Sequence, residues 1–297
     1  MKDGFLLHQK GTSTQPPAIT MSQASNFVKK LASNDKPTRD AALESLKKFL
    51  ISKSSKSFSI SLLDAEKLWK GLYYSMWFCD RPKAQERLAE NLGKLYSENI
   101  NSNEVFLRFV EAFNLIMIKE WSDIDQWRID KYYLLIRRVL RHNFKYLKQH
   151  EWDGELVNDW VDVMSRTFLS GDAKVPVALP YHLCDIYLDE LQLIMFEELE
   201  EEELDKEDPE YLQKYEKLMR EKIDIVEVVP VLKLIEPFQT LNKEAKLKPL
   251  REKCKEDVLD DERLVDWAVI EDDSDSDLDE KDGSAEEEEE EEEWKGF

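Results

Sequence analysis

The segment from Leu68 to Gln85 reads Leu-Trp-Lys-Gly-Leu-Tyr-Tyr-Ser-Met-Trp-Phe-Cys-Asp-Arg-Pro-Lys-Ala-Gln, and few folds accommodate it. Trp69, Tyr73, Met76 and Trp77 recur at spacings of four, three and one, which sets them on one broad helical face. Asp80-Arg81-Pro82 ends that helix and opens another, because proline is tolerated in a first helical turn where its missing N–H costs nothing. Two large helices meeting at an aromatic corner belong to a stacked all-helical scaffold, and the segment carries no catalytic apparatus.

The helical period continues on both sides. Phe27, Val28 and Leu31 line a short helix, Asn34-Asp35 with Pro37 marks the next start, and Ala42, Leu43, Leu46, Phe49 and Leu50 supply its buried face. Leu31, Asp35, Arg39, Ala42, Leu43 and Leu46 together resemble one HEAT-type unit, although later helices do not repeat it at a fixed period of about 40 residues. Helices are predicted at about 64–79, 82–97, 103–120, 124–149 and 151–169, with a loop from Gly171 to Pro180 and a helix from Tyr181 to about Glu198. Their short links favour antiparallel neighbours. After an acidic run from Glu197 to Asp208, a helix resumes beyond Pro209. Ile223 to Leu241, broken by Pro230 and Pro237, is expected to pack as extended segments.

The expected fold is therefore all-α, a HEAT-like helical repeat or α-solenoid with extended apolar segments and a disordered acidic C-terminal tail. The organisation expected is a disordered leader over 1–21, a repeat-like body over 22–198, an acidic linker with a helix and extended segments packing on the body over 199–270, and the tail over 271–297. Met21 directly precedes a good helix start at Ser22 to Asn26 and reads as an alternative or true initiator.

Charge divides the chain unevenly. Residues 1–190 hold 27 Lys and Arg against 25 Asp and Glu, whereas residues 191–297 hold 15 against 39. A nearly neutral body with an acidic appendage points to macromolecular partners rather than a small substrate. The tail carries eight consecutive glutamates, Glu286 to Glu293, and Ser274 and Ser276 sit among acids in a context suited to acidophilic phosphorylation.

A search for chemistry finds no GxxxxGK[ST] loop, GxSxG, HExxH or CxxC. Cys79, Cys184 and Cys254 are scattered, none pairs with His8, His142, His150 or His182 at ligand spacing, and reduced buried thiols in the cytosol or nucleus are the economical reading. Asp123/Asp125 and Asp185/Asp189 are carboxylate pairs of the kind that 64 acidic residues produce by chance. No catalytic residue, cofactor or metal site is assigned, and no membrane partner or small-molecule substrate is expected.

The predicted helix at 124–149 has a buried stripe of Ile129, Tyr133, Ile136, Leu140, Phe144 and Leu147. Seven cations, Arg128, Lys131, Arg137, Arg138, Arg141, Lys145 and Lys148, accompany it with a single acid, Asp130. Contact with RNA phosphate is one reading of this stripe. The other is structural: cations suit the last turns of a helix and pair with acids on an adjacent helix such as Asp159 or Asp162. Trp69, Trp77, Trp121, Trp127, Trp152 and Trp160 fall mostly in helical stretches beside leucines, which assigns most of them to the core. Trp267 lies in an apolar island, Leu264 to Ile270, and is expected to anchor its segment in a groove of this body or of a partner.

Three blocks carry a family resemblance. Leu68 to Trp77 followed by Asp80-Arg81-Pro82 is the first. Trp121, Ile124-Asp125, Arg128, Asp130-Lys131 and Tyr133 followed by Arg137-Arg138 is the second, and Leu179, His182-Leu183 and Asp185 to Leu191 is the third. In order and content they resemble the eukaryotic nucleolar ribosomal RNA processing protein one family over roughly two thirds of the chain, from about 25 to 200. The resemblance implies a helical repeat-like fold in a nucleolar, hence nuclear, assembly factor of the large ribosomal subunit, needed for maturing 27S-type precursor rRNA. It also implies placement on pre-60S particles beside precursor rRNA, other large-subunit assembly factors and ribosomal proteins. The expected function is thus a non-enzymatic scaffold, with an acidic chaperone or transport adaptor for basic proteins as the alternative. Partner contact is expected from Lys70, Arg81 and Lys83 at the corner, from Asp185, Asp189 and Glu190 in the third block, and from Trp267.

Overall fold

A computed structural model describes residues 27–52, 59–199 and 209–271. After a helical stretch over 27–31, the chain forms α1 (Lys36–Ser52), α2 (Leu62–Trp77), α3 (Pro82–Lys94), α4 (Asn103–Glu120), α5 (Ile129–Gln149), α6 (Gly154–Arg166) and α7 (Ala178–Met195). Then follow α8 (Tyr211–Val226), α9 (Val231–Glu244), α10 (Lys248–Cys254) and α11 (Glu262–Asp266). Among the described residues there is no strand. The leader, the acidic run beyond Leu199 and the tail beyond Glu271 lie outside the described residues.

Helix starts follow local chemistry. Ser61 caps α2 by accepting from the Asp64 N–H, Ser102 caps α4 through Val105, and Asp153 caps α6 through Leu156. Pro82 stands at the start of α3, as the sequence predicts. A π-helical turn, Leu95–Asn99, follows α3, and a second, Lys255–Leu259, follows α10. The reversal between α5 and α6 uses two consecutive left-handed residues, Glu151 and Trp152, each with φ of 54°.

From α2 to α7 the helices pack on the helix two places along, and α9 and α10 continue the rows on α6 and α7 while also packing on each other. One row runs α2, α4, α6, α9, and the other runs α3, α5, α7, α10. This alternation is that of a two-layered α-solenoid, with the core between the rows. Trp69 meets Tyr96, Phe109 and Phe113 there, Phe106 stacks on Tyr146 at 3.9 Å, and Phe144 meets Trp160 and Tyr187. Buried hydroxyls tie rows together at backbone carbonyls: Tyr132 donates to Tyr73 O at 3.0 Å and Tyr187 to Leu234 O at 2.6 Å.

Four sequence expectations change. Ile223 to Leu241 is not extended. It holds the end of α8 and most of α9, with Pro230 just before α9 and Pro237 inside it. Leu234, Ile235, Phe238 and Leu241 are buried on one face of α9, and that burial outweighs the donor lost at Pro237. The helix expected at 124–149 starts only at Ile129. The third block opens inside a helix, since α7 begins at Ala178 and holds Pro180 in its first turn. Finally, Cys184 and Cys254, 70 residues apart, bring their buried free sulfurs within 3.8 Å where α10 meets α7.

The α3–α5 crossing depends on a missing side chain. A Cβ on Gly93 would run into the His142 ring and lie 2.9 Å from the Arg138 carbonyl oxygen. Gly93→Ala is expected to lower unfolding free energy by about 1–3 kcal/mol, overpacking outweighing the helix propensity gained. Urea denaturation checks this, and an unchanged or raised midpoint would show that the crossing opens freely.

Candidate functional site

α5 lies between α3 and α7, and five of the seven cations, Arg137, Arg138, Arg141, Lys145 and Lys148, meet those two flanks. Two rows of acids receive them. On the α3 side, Arg138 reaches Glu86 at 3.4 Å and Glu90 at 3.5 Å, and His142 Nε2 lies 3.1 Å from Glu90. On the α7 side, Arg137 pairs with Asp189 at 3.1 Å and with Glu190, and Arg141 places Nε 2.5 Å from Glu190 Oε2 and an Nη 3.1 Å from Oε1. One turn on, Lys145 meets Glu197 at 2.9 Å, while Lys148 donates to Ile194 O at 2.9 Å and lies 3.4 Å from Glu197. The sequence offered Asp159 and Asp162 as pairing acids, but those stand on α6 beside Glu104, Arg108 and Glu111 of α4.

Glu190 is the centre of this ladder. It has 0 % exposure, and two guanidinium groups satisfy its carboxylate, which makes burial of that charge tolerable. Asp189 and Asp185 extend the network. Asp189 also accepts from Arg263 of α11 at 3.0 Å, and Asp185 pairs with Lys253 of α10 at 2.6 Å. The three acids expected to meet partners thus join α7 to α5, α10 and α11.

The N-terminal end of α5 is built differently. Lys131 is only 4 % exposed and donates to Trp77 O at 2.7 Å and Cys79 O at 3.0 Å, so it closes the C-terminal end of α2. Burial pushes its pKa down, and Asp80 opposes that. Arg128 pairs with Asp125 and lies over the Trp77 ring at 4.5 Å. Asp125 also accepts from the Trp127 N–H at 3.0 Å, a side-chain turn that holds off the start of α5. The outcome is an indole, Trp127, that is 85 % exposed on a braced loop. The sequence had grouped Trp127 with the core tryptophans. The available signal was Asp125-Gln-Trp127, in which an aspartate captures the N–H two residues on.

The corner residues divide. Lys70 pairs with Glu120 and lies over the rings of Tyr73 and Tyr74. Arg81 and Lys83 are exposed and make no ion pair among the described residues. Trp267 is 4 % exposed and meets Phe196 edge-on at 5.9 Å, so its island closes on this body rather than on a partner. No group of three or more His, Cys, Asp or Glu suited to a metal ion occurs among the described residues, and no described helix is long and apolar enough to cross a membrane.

This arrangement defines an all-α solenoid whose central helix is clamped by charge on both flanks. The chain matches the family described as "Nucleolar protein, Nop52" over residues 22–297 and belongs to it. It is 37 % identical over 169 residues to the mouse ribosomal RNA processing protein 1 homolog B, covering 57 % of this chain and 23 % of that protein. The human homolog B is also 37 % identical, over 174 residues, with 58 % and 23 % covered. The Caenorhabditis elegans ribosomal RNA processing protein 1 homolog is 36 % identical over 165 residues, with 56 % and 41 % covered. The chain therefore spans about a quarter to two fifths of the length of these relatives.

The flanks of α5 also set a pH response. Burial pushes the His142 imidazole down, with Glu90 opposing, and burial likewise lowers His182. Burial acts to raise Glu90 and Glu197, but His142 and Arg138 at the first, and Lys145 and Lys148 at the second, carry both carboxyls below their ordinary value. All four bind protons less readily folded than unfolded, so stability is full above the unfolded pKa and falls on acidification. The histidine part is lost from about pH 6.5 downward and the carboxylate part below about pH 4.5. Urea unfolding between neutral and mildly acidic pH is expected to show this decline, with a shallower slope between about pH 6.5 and 5 in His142→Gln. Stability that rises on acidification across that window would contradict the assignment.

Proposed function

We propose that this chain is a non-enzymatic scaffold in ribosome biogenesis, acting on nucleolar pre-60S particles during maturation of 27S-type precursor rRNA. Membership of a family described as nucleolar, with relatives named for ribosomal RNA processing, carries the reading. The body adds physical support: its central cations are engaged with acids and carbonyls of neighbouring helices, which suits a rigid platform more than a turnover site.

On this reading the α5 cations hold the platform together, and those with partial exposure, Arg137 and Lys145, meet RNA only as a second role. First contact with the particle falls to the loop edge, where Trp127 stands beside the α2–α3 corner. Lys131 and Arg128 fix that proximity by bonding and stacking on the end of α2. Aromatic anchors with flanking guanidinium groups dominate interface energetics.

Trp127→Ala combined with Arg81→Glu and Lys83→Glu is expected to leave helicity and unfolding midpoint unchanged, because all three side chains are exposed. The same protein should leave the large-subunit precursor fractions of a sucrose gradient. Retention in those fractions would sink the loop edge as the contact surface. Metal-dependent cleavage of precursor rRNA by the purified chain would sink the non-enzymatic reading.

A further inference from the structure

At the end of the solenoid where α7 begins, the loop between α6 and α7 and the turn between α9 and α10 enclose an apolar cavity of about 400 Å³. Phe168, Val175, Pro176, Val177, Leu247 and Leu250 form its apolar wall. Val177 and Leu247 remain exposed at its mouth, although both are large apolar side chains. Gly171, with φ of +67°, turns the loop over Leu241 and shapes the rim.

The rim is basic in a chain of net charge −22. Lys246 lines the cavity with a single acid, Asp172, and Lys174, Lys243 and one further acid, Glu244, stand close by in the chain. These three lysines are exposed and make no ion pair among the described residues. An apolar slot with unpaired lysines fits a segment that carries aromatics behind a block of acid.

The chain itself contains such a segment. Glu286 to Glu293 is followed at once by Trp294 and, three residues later, Phe297. We propose that Trp294 and Phe297 occupy this cavity, with the preceding glutamates lying across Lys174, Lys243 and Lys246.

Geometry supports the reach. The last described residue, Glu271, follows the Trp267 island, which packs on Phe196 just past the end of α7. The cavity lies at the opposite end of α7, whose 18 residues span about 27 Å. A flexible chain of 23 residues, the number that separates Glu271 from Trp294, has a root-mean-square span of about 26 Å. The effective concentration of a tethered ligand is highest where these two lengths match. The other apolar recess near the tail, formed by Ile223, Val226, Val231 and Trp267, lies beside its origin, and its one lining cation, Lys233, is paired with Glu236.

The test uses the full chain carrying p-benzoylphenylalanine in place of Trp294, irradiated at high dilution and mapped by peptide mass spectrometry. Intramolecular adducts to residues 168–180 or 245–250 are expected, and their yield should fall several-fold at high salt and in Lys243→Glu/Lys246→Glu. Both lysines are exposed, so that variant should unfold at the wild-type midpoint. Hydrogen exchange supplies an independent reading: Trp294→Ala/Phe297→Ala in the full chain should speed exchange at the cavity wall several-fold. Adducts only between copies, adducts at the Trp267 recess, or cavity exchange unchanged by the double substitution would each overturn the proposal.

Discussion

A carboxylate without access to water holds this solenoid together. Glu190 sits where α7 faces α5, and the guanidinium groups of Arg137 and Arg141 close on it from one turn of the neighbouring helix. Burying one such charge alone would be prohibitive, so the three side chains form a unit whose members fix the register of two helices. The flanking pairs repeat the motif with less burial: Arg138 and His142 with Glu90 on the α3 side, Lys145 and Lys148 with Glu197 on the α7 side. Asp185 and Asp189, about half exposed, add surface ties from α7 to α10 and α11, whose Leu250, Cys254 and Leu264 are buried.

This ordering separates two tasks within one edge of the molecule. Lys131 and Arg128 use charge inward, on carbonyls of α2 and on the Trp77 ring. The same loop turns Trp127 outward and leaves Arg81 and Lys83 uncommitted nearby. A braced backbone beneath an exposed aromatic suits recognition, because less backbone freedom is left to lose on binding.

Much of the fold was legible in the sequence, and the parts that were not share a physical cause. The corner at Leu68 to Gln85 was readable because a 3.6-residue period and a proline at the first turn are local signals. The basic stripe was equally visible as a stripe. Its partners were not, because periodicity defines faces without saying which helix lies opposite. Sequence proximity favoured Asp159 and Asp162 on α6, yet in a two-row solenoid α5 neighbours α3 and α7. The acids that meet it are therefore about 50 residues away in either direction. Pro237 misled for a related reason: the burial of Leu234 and Phe238 overrides its local penalty. Helical period alone extends the helix back to 124 and sets Trp127 among the helical tryptophans, whereas the Asp125 side-chain turn delays α5 by about one turn.

The claim on which the rest depends is that the α5 cations are internal ties. A double-mutant cycle on Glu190→Gln and Arg141→Gln, read by urea unfolding of each protein, measures it directly. The clamped arrangement predicts a favourable coupling free energy of about 0.5–3 kcal/mol, the range found for residues sharing one charged network. Additive effects, with coupling indistinguishable from zero, would contradict it and return Arg141 to the solvent as a free cation.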